Sequence, residues 1–129
     1  MCVFANIEYD LTQGPEVNGN YFEVSIVLLG LKDIGIGLAD KSTFPVDSRM
    51  PGWNDNSYGY HGDDGKKFGE NPTPGDWPLF EEGDVIGCGI SIDRKTIFFT
   101  RNGELLGDCF TDLKITKLSP VVGFSNRHN

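Results

Sequence analysis

Alternation is the first pattern along the chain. In Tyr21-Phe22-Glu23-Val24-Ser25-Ile26-Val27, Phe22, Val24 and Ile26 share one face and Glu23 and Ser25 the other, the period of a half-buried strand. Ile34-Gly35-Ile36-Gly37-Leu38-Ala39 sets glycines between branched residues, as happens where another backbone or a large ring packs closely, and predicts a buried strand. Ile86, Cys88, Ile90 and Ile92 alternate with Gly87, Gly89, Ser91 and Asp93, and after Asp93-Arg94-Lys95 the chain resumes as Thr96-Ile97-Phe98-Phe99-Thr100, a predicted hairpin. Asn102-Gly103 then stands between apolar runs, a turn whose two central residues take positive φ, and leads into a third strand from Leu105 to Cys109. Leu118 to Phe124 predicts one more strand, with Pro120 at or near its start, where a missing N–H is tolerated. Asp112 to Lys117 is too short to assign. Helical periodicity free of Gly and Pro is absent, and short strands between turn signals at roughly 8–12-residue spacing predict an all-β sandwich or barrel.

The segment from Asp40 to Glu82 reads as irregular. It is rich in Gly, Pro, Asn and Asp, yet it carries Trp53, Tyr58, Tyr60, Phe68, Trp77 and Phe80, an aromatic supply that flexible linkers lack. It is expected to be ordered, and such loops often carry function. Trp53 fits two roles equally, a plug between strands or a recognition residue. Tryptophans and tyrosines in sandwich loops also suit sugar stacking, so a carbohydrate-binding module is an alternative.

Composition narrows the partners. The 129 residues carry 11 Lys+Arg against 19 Asp+Glu, a formal charge of −8, in a single domain long enough to bury a real core. Net negative charge opposes phosphate neutralisation and adhesion to anionic lipid, which disfavours nucleic acid and membrane surfaces. Cys2, Cys88 and Cys109 are an odd set without CxxC spacing, so neither a zinc site nor a disulfide framework follows. Cys88 and Cys109 lie in apolar runs and are expected to be buried reduced thiols, which points to a cytoplasmic or nuclear setting. The N-terminus lacks the basic and apolar regions of a signal peptide, and no stretch approaches the ~20 apolar residues of a membrane span.

Catalytic chemistry finds little footing. Gly35-Ile36-Gly37-Leu38-Ala39-Asp40 lacks the third glycine and the helix of a dinucleotide fingerprint. Gly62-Asp63-Asp64-Gly65-Lys66-Lys67 misses the spacing of both a phosphate loop and a calcium loop, and reads as a solvated turn with Asp side chains bonding local backbone. His61 and His128 sit in no metalloprotease or nucleophile-elbow context. Asp63/Asp64 and Glu81/Glu82/Asp84 could in principle serve as acid and base but read as solvated faces. No catalysis, metal or cofactor is expected.

Seven motifs in order resemble the SPRY domain family. They are Tyr21-Phe22-Glu23-Val24, Ile34-Gly35-Ile36-Gly37-Leu38, Pro51-Gly52-Trp53, Ser57-Tyr58-Gly59-Tyr60-His61-Gly62-Asp63-Asp64-Gly65, Gly83-Asp84-Val85-Ile86-Gly87-Cys88, Phe98-Phe99-Thr100-Arg101-Asn102-Gly103 and Leu118-Ser119-Pro120-Val121-Val122-Gly123. Pro-Gly-Trp followed by Tyr-His-Gly-Asp-Asp-Gly resembles in particular the SPRY domains of Ran-binding scaffold proteins associated with the CTLH ubiquitin ligase. The resemblance implies a bent sandwich of two antiparallel sheets whose loop edge binds a short peptide segment of a partner without catalysis, as a recruiter or scaffold for ubiquitin ligation. A purely structural domain of a larger parent is a further alternative.

Carried across motif by motif, the resemblance implies a partner-binding set of Tyr60, Asn6, Ile7, Leu38, Asn126 and Arg127, and independently of it the cations Arg49, Arg127 and Lys66 would supply donors for peptide carbonyls or carboxylates. Asn126-Arg127 stand where the SOCS-box members carry Trp-Gly, so their peptide preference does not transfer. The family also implies a closing strand after Pro-Val-Val-Gly, and this chain stops at Asn129. The expectation is a fragment of a larger protein, with the N-terminal segment covering the exposed sheet edge or a second copy associating through it.

Overall fold

The computed structural model describes residues 2–12, 20–27, 33–45 and 50–125. Among the described residues ten strands form two antiparallel sheets and no helix occurs. The first sheet runs β1 (Cys2–Phe4), β10 (Lys117–Ser125), β4 (Asp33–Ala39), β5 (Ser57–His61) and β6 (Lys67–Phe68), with β2 (Tyr9–Asp10) also paired to β10. The second runs β3 (Tyr21–Ser25), β7 (Val85–Ser91), β8 (Thr96–Arg101) and β9 (Glu104–Phe110). Between them Ile34, Ile36, Leu38, Tyr58, Tyr60 and Leu118 meet Ile86, Cys88, Ile90, Ile97, Phe99 and Phe110 in one buried cluster. Each fully buried aliphatic or aromatic side chain there contributes about 1.5–3 kcal/mol of burial energy.

The predicted alternations become β3, β4, β7, β8, β9 and β10. Asn102 and Gly103 take φ of 53° and 84°, the left-handed pair that a tight hairpin between β8 and β9 needs. Cys88 and Cys109 are buried free thiols, and burial pushes both thiol pKa values up.

Three sequence expectations are corrected. The segment from Asp40 to Glu82 is not irregular throughout, because it contains β5 and β6, and all five residues of β5 are buried. Pro120 lies well inside β10, opposite Leu38, rather than at its start. Its missing N–H faces the N-terminal segment, where Ala5 N donates to the Pro120 carbonyl at 3.0 Å. The Ala5 carbonyl, which a normal residue at 120 would have bonded, accepts from Lys41 Nζ at 3.3 Å instead. The register then slips between Phe4↔Val121 and Tyr9↔Leu118, so Asn6, Ile7 and Glu8 bulge from the sheet. Finally, Asp84 is buried rather than a solvated face.

A loop layer covers the outer face of the first sheet. Phe44 packs edge-on against Phe4 with centroids 5.1 Å apart, and buried Met50 lies over Gly35, where a Cβ would come within 2.9 Å of Met50 Cε. Gly35 and Gly59 leave room for this loop, while Gly37 leaves room for β5 itself. A Cβ on Gly37 would sit 1.8 Å from the Tyr58 carbonyl oxygen, and one on Gly59 would sit 2.4 Å from the Pro51 oxygen.

Candidate functional site: an aromatic and acidic cleft beside Trp53

The covering loop ends in a tight turn that presents Trp53. Gly52 has φ 96°, and its N–H donates to Ser57 Oγ at 2.5 Å, which fixes the start of the turn to the start of β5. The Trp53 ring stands edge-on to Phe68 at 6.4 Å and tilted to His61 at 5.8 Å, yet the residue remains 47% exposed. His61 is buried, and its Nε2 lies 2.8 Å from the Pro51 carbonyl. A carbonyl can only accept, so Nε2 carries the proton and the histidine anchors the loop from below.

Beside Trp53 lies a cleft of about 190 Å³ lined by Asn54, Asp55, Asn56, Tyr58 and Glu70 as well. A smaller hollow of about 50 Å³ shares Asn56, Tyr58 and Glu70 and extends to Asp112 and Lys114. Tyr58 is 5% exposed, its ring packed against Phe110 at 5.1 Å, and burial followed by the negative charge of Glu70 raises its phenol pKa. Its hydroxyl makes no hydrogen bond to a described residue. The opening is thus walled by an exposed indole, a phenol and three carboxylates.

The residues carried across from the family do not assemble around this cleft. Tyr60 is fully buried, edge-on to Trp77, Phe80 and Phe99 at 5.2, 4.9 and 5.3 Å, and its hydroxyl donates to the Pro78 carbonyl. Burial drives its phenol pKa far up. As a core ring it offers no contact surface, which corrects the expectation of direct recognition. Leu38 is corrected likewise, since it too is fully buried, between Tyr58 and Pro120 in the sheet. Asn6 and Ile7 are exposed on the bulge at the β1 edge, and Ile7 is 53% accessible. That edge and β6 are four strand spacings apart, roughly 19 Å, so they do not share a site with Trp53. Arg49, Asn126 and Arg127 lie outside the described residues. Lys66 is exposed and paired with Asp76 at 3.4 Å.

Asp55, Glu70 and Tyr58's hydroxyl escaped sequence reasoning as a group. Asp55 and Glu70 stand 15 positions apart in the chain and converge only because β5 pairs with β6. Among the described residues no group of three or more His, Cys, Asp or Glu is placed to hold a metal ion.

The sequence matches the SPRY domain family over residues 20–129. It is 49% identical over 106 residues to Ran-binding protein 9 of Xenopus tropicalis, an alignment covering 80% of this chain and 19% of that protein. It is also 49% identical over 107 residues to the Ran-binding proteins 9/10 homolog of Drosophila melanogaster, covering 80% of this chain and 11% of that one. The fold is similar to the crystal structure of a human SPRY domain, with a TM-score of 0.75 and 33% identity, covering 98% of this chain and 79% of that chain. The chain therefore spans a fifth or less of the length of these two full-length relatives.

Proposed function

The chain belongs to the SPRY domain family, a family of protein-interaction modules, and from that premise we propose that it is a noncatalytic module binding an extended peptide segment of a partner protein at the loop edge around Trp53. The observation that carries this reading is the half-exposed Trp53 ring, held from beneath by His61 and Phe68 at the mouth of the cleft. A rigid aromatic with few torsions to freeze, next to a pocket, is the usual anchor of a binding hot spot. Asn6 and Ile7, on the opposite sheet edge, are a separate contact surface in this reading, joined to the first only by a partner long enough to cross the sheet. The module acts within a larger polypeptide as a recruiter or scaffold for ubiquitin ligation, a role supported by the resemblance to Ran-binding scaffold proteins. Free, buried thiols agree with an intracellular setting.

Peptide-array capture tests the reading. Trp53→Ala is expected to weaken capture by about tenfold or more with melting unchanged, while Tyr60→Phe, altered only in the core, leaves capture intact. Capture that survives Trp53→Ala sinks it.

A second reading has one observation in its favour. On the outer face of the second sheet Tyr21 and Phe98 lie over the glycines of β7, their ring planes nearly parallel at 11° with centroids 6.1 Å apart, and Tyr21 Oη is bonded to Thr100 and Glu23. Such a pavement suits the face of a sugar ring. Glycan-array binding lost in Tyr21→Ala, without any peptide hit, would favour it over the first reading.

A further inference from the structure

We infer that the cleft beside Trp53 receives an arginine side chain of the partner, its guanidinium stacked on the indole and bonded to Glu70, Asp55 and the Tyr58 hydroxyl. This rests on the peptide-binding reading above and adds the chemistry of the occupant.

Size speaks first. At about 190 Å³ the cleft falls below the roughly 300–1,000 Å³ of small-molecule sites and suits one side chain. Charge speaks next. Asp55, Glu70 and Asp112 line the cleft and its extension against a single cation, Lys114. None of the three carboxylates has an ion pair or a side-chain hydrogen bond among the described residues. Elsewhere Asp76, Asp84, Asp108 and Glu81 each hold a cationic partner. Three carboxylates without an ion pair thus line the cleft and its extension, beside an exposed tryptophan.

Tyr58 is the independent pointer. The residue is 5% exposed and lines both hollows, and its hydroxyl bonds no described protein group. Only one buried side-chain polar atom in the described structure lacks a partner outright, Ser119 Oγ, so the Tyr58 oxygen must reach the open space of the cleft. Its lone pairs offer an acceptor there, as do Glu70 and Asp55. The opening therefore combines three carboxylates without an ion pair and a π-face with a single cation, Lys114.

Arginine meets this set better than lysine. A guanidinium carries five donors in a fixed plane, engages carboxylates in pairs and stacks on an indole, whereas an ammonium acts as a point charge. The chain itself uses the lysine version elsewhere, with Lys67 Nζ 4.2 Å from the Trp77 ring centroid. A second copy of this chain, net charge −8, is a poor occupant of an acidic cleft.

The test is a random-sequence array of extended peptides probed with the intact chain, followed by fluorescence polarisation of the strongest binder and its Arg→Lys and Arg→citrulline versions. The expected result is enrichment of arginine among binders. Affinity then falls about tenfold or more on Arg→citrulline, on Glu70→Gln and on Tyr58→Phe, and by less on Arg→Lys. Glu70 is exposed and Tyr58→Phe keeps the buried ring, so both variants fold, and their melting checks that. Binders that require Trp53 but show no arginine enrichment and ignore Glu70→Gln overturn the inference and leave the peptide reading standing. An array without any binder overturns both.

Discussion

Asp84 locks two turns with one carboxylate. It accepts from Glu81 N–H at 2.9 Å, Arg101 Nε at 3.1 Å and Asn102 Nδ2 at 3.1 Å, while Asn102 Oδ1 accepts from Val85 N–H at 2.8 Å. The turn before β7 and the Asn-Gly turn after β8 are thereby held as one unit. Burial alone would disfavour the charged carboxylate, but the bonds from Asn102, Glu81 and Arg101 and the guanidinium charge outweigh it and hold the pKa below the ordinary range. The consequence has a definite sign. A depressed folded-state pKa adds stability that is fully present above the unfolded value, near 3.9, and is lost as pH falls through the lower folded value. Asp84→Asn is expected to cost about 2–4 kcal/mol near neutral pH, because it leaves Arg101 without its buried partner. Urea melts across pH should show the wild type losing its advantage over the variant only below pH about 4. A constant gap down to the lowest pH would remove the carboxylate from the explanation.

At the scale of elements, the loop between β6 and β7 hangs on Lys67. Its ammonium donates to Thr73 Oγ1 at 3.0 Å and to the Thr73 and Pro74 carbonyls at 3.2 and 3.3 Å, beneath the Trp77 ring. Lys67→Met keeps the stem and removes the charge, at an expected cost of roughly 1–2 kcal/mol. Amide exchange should quicken first at Thr73 and Trp77, whose N–H groups bond Cys109 and Gly65. Uniform quickening across the sandwich would mean that the lysine anchors no separate unit. The same loop shows what could be read in advance. β7 was legible because branched residues alternate with small or polar ones, and β8 and β9 because Asn102-Gly103 marks a return between apolar runs. β5 was not, since Ser-Tyr-Gly-Tyr-His carries no branched residue and sits among turn formers, and only its burial on both faces makes it a central strand. β1 and β2 were too short to signal. The cleft was half legible: Trp53 stood out as an aromatic in a turn, but its exposure and the meeting of Asp55, Glu70 and Tyr58 depend on β5–β6 pairing and on a loop folding back across the sheet.

For the whole molecule, the charge of −8 and the acidic lining of the cleft act in the same direction on a cationic segment. Exposed charges feel one another over about 10 Å at 0.1 M salt, so the field of the full surface steers the approach while only the cleft residues hold the bound state. Association and dissociation should therefore respond differently to salt. Stopped-flow tryptophan fluorescence with an arginine-bearing binder is expected to show the association rate falling about tenfold between roughly 0.02 and 0.5 M salt. The dissociation rate should change far less, because stacking on Trp53 is governed by apolar and short-range contacts that salt screens weakly. Glu70→Gln separates the two contributions. Removing one of many negative charges barely alters the long-range field, so association should slow by less than about twofold, whereas the lost bond should speed dissociation by about tenfold. An association rate indifferent to salt would show that the net charge of the molecule plays no part in finding its partner, and equal effects of Glu70→Gln on both rates would place that carboxylate outside the cleft's grip on the bound side chain.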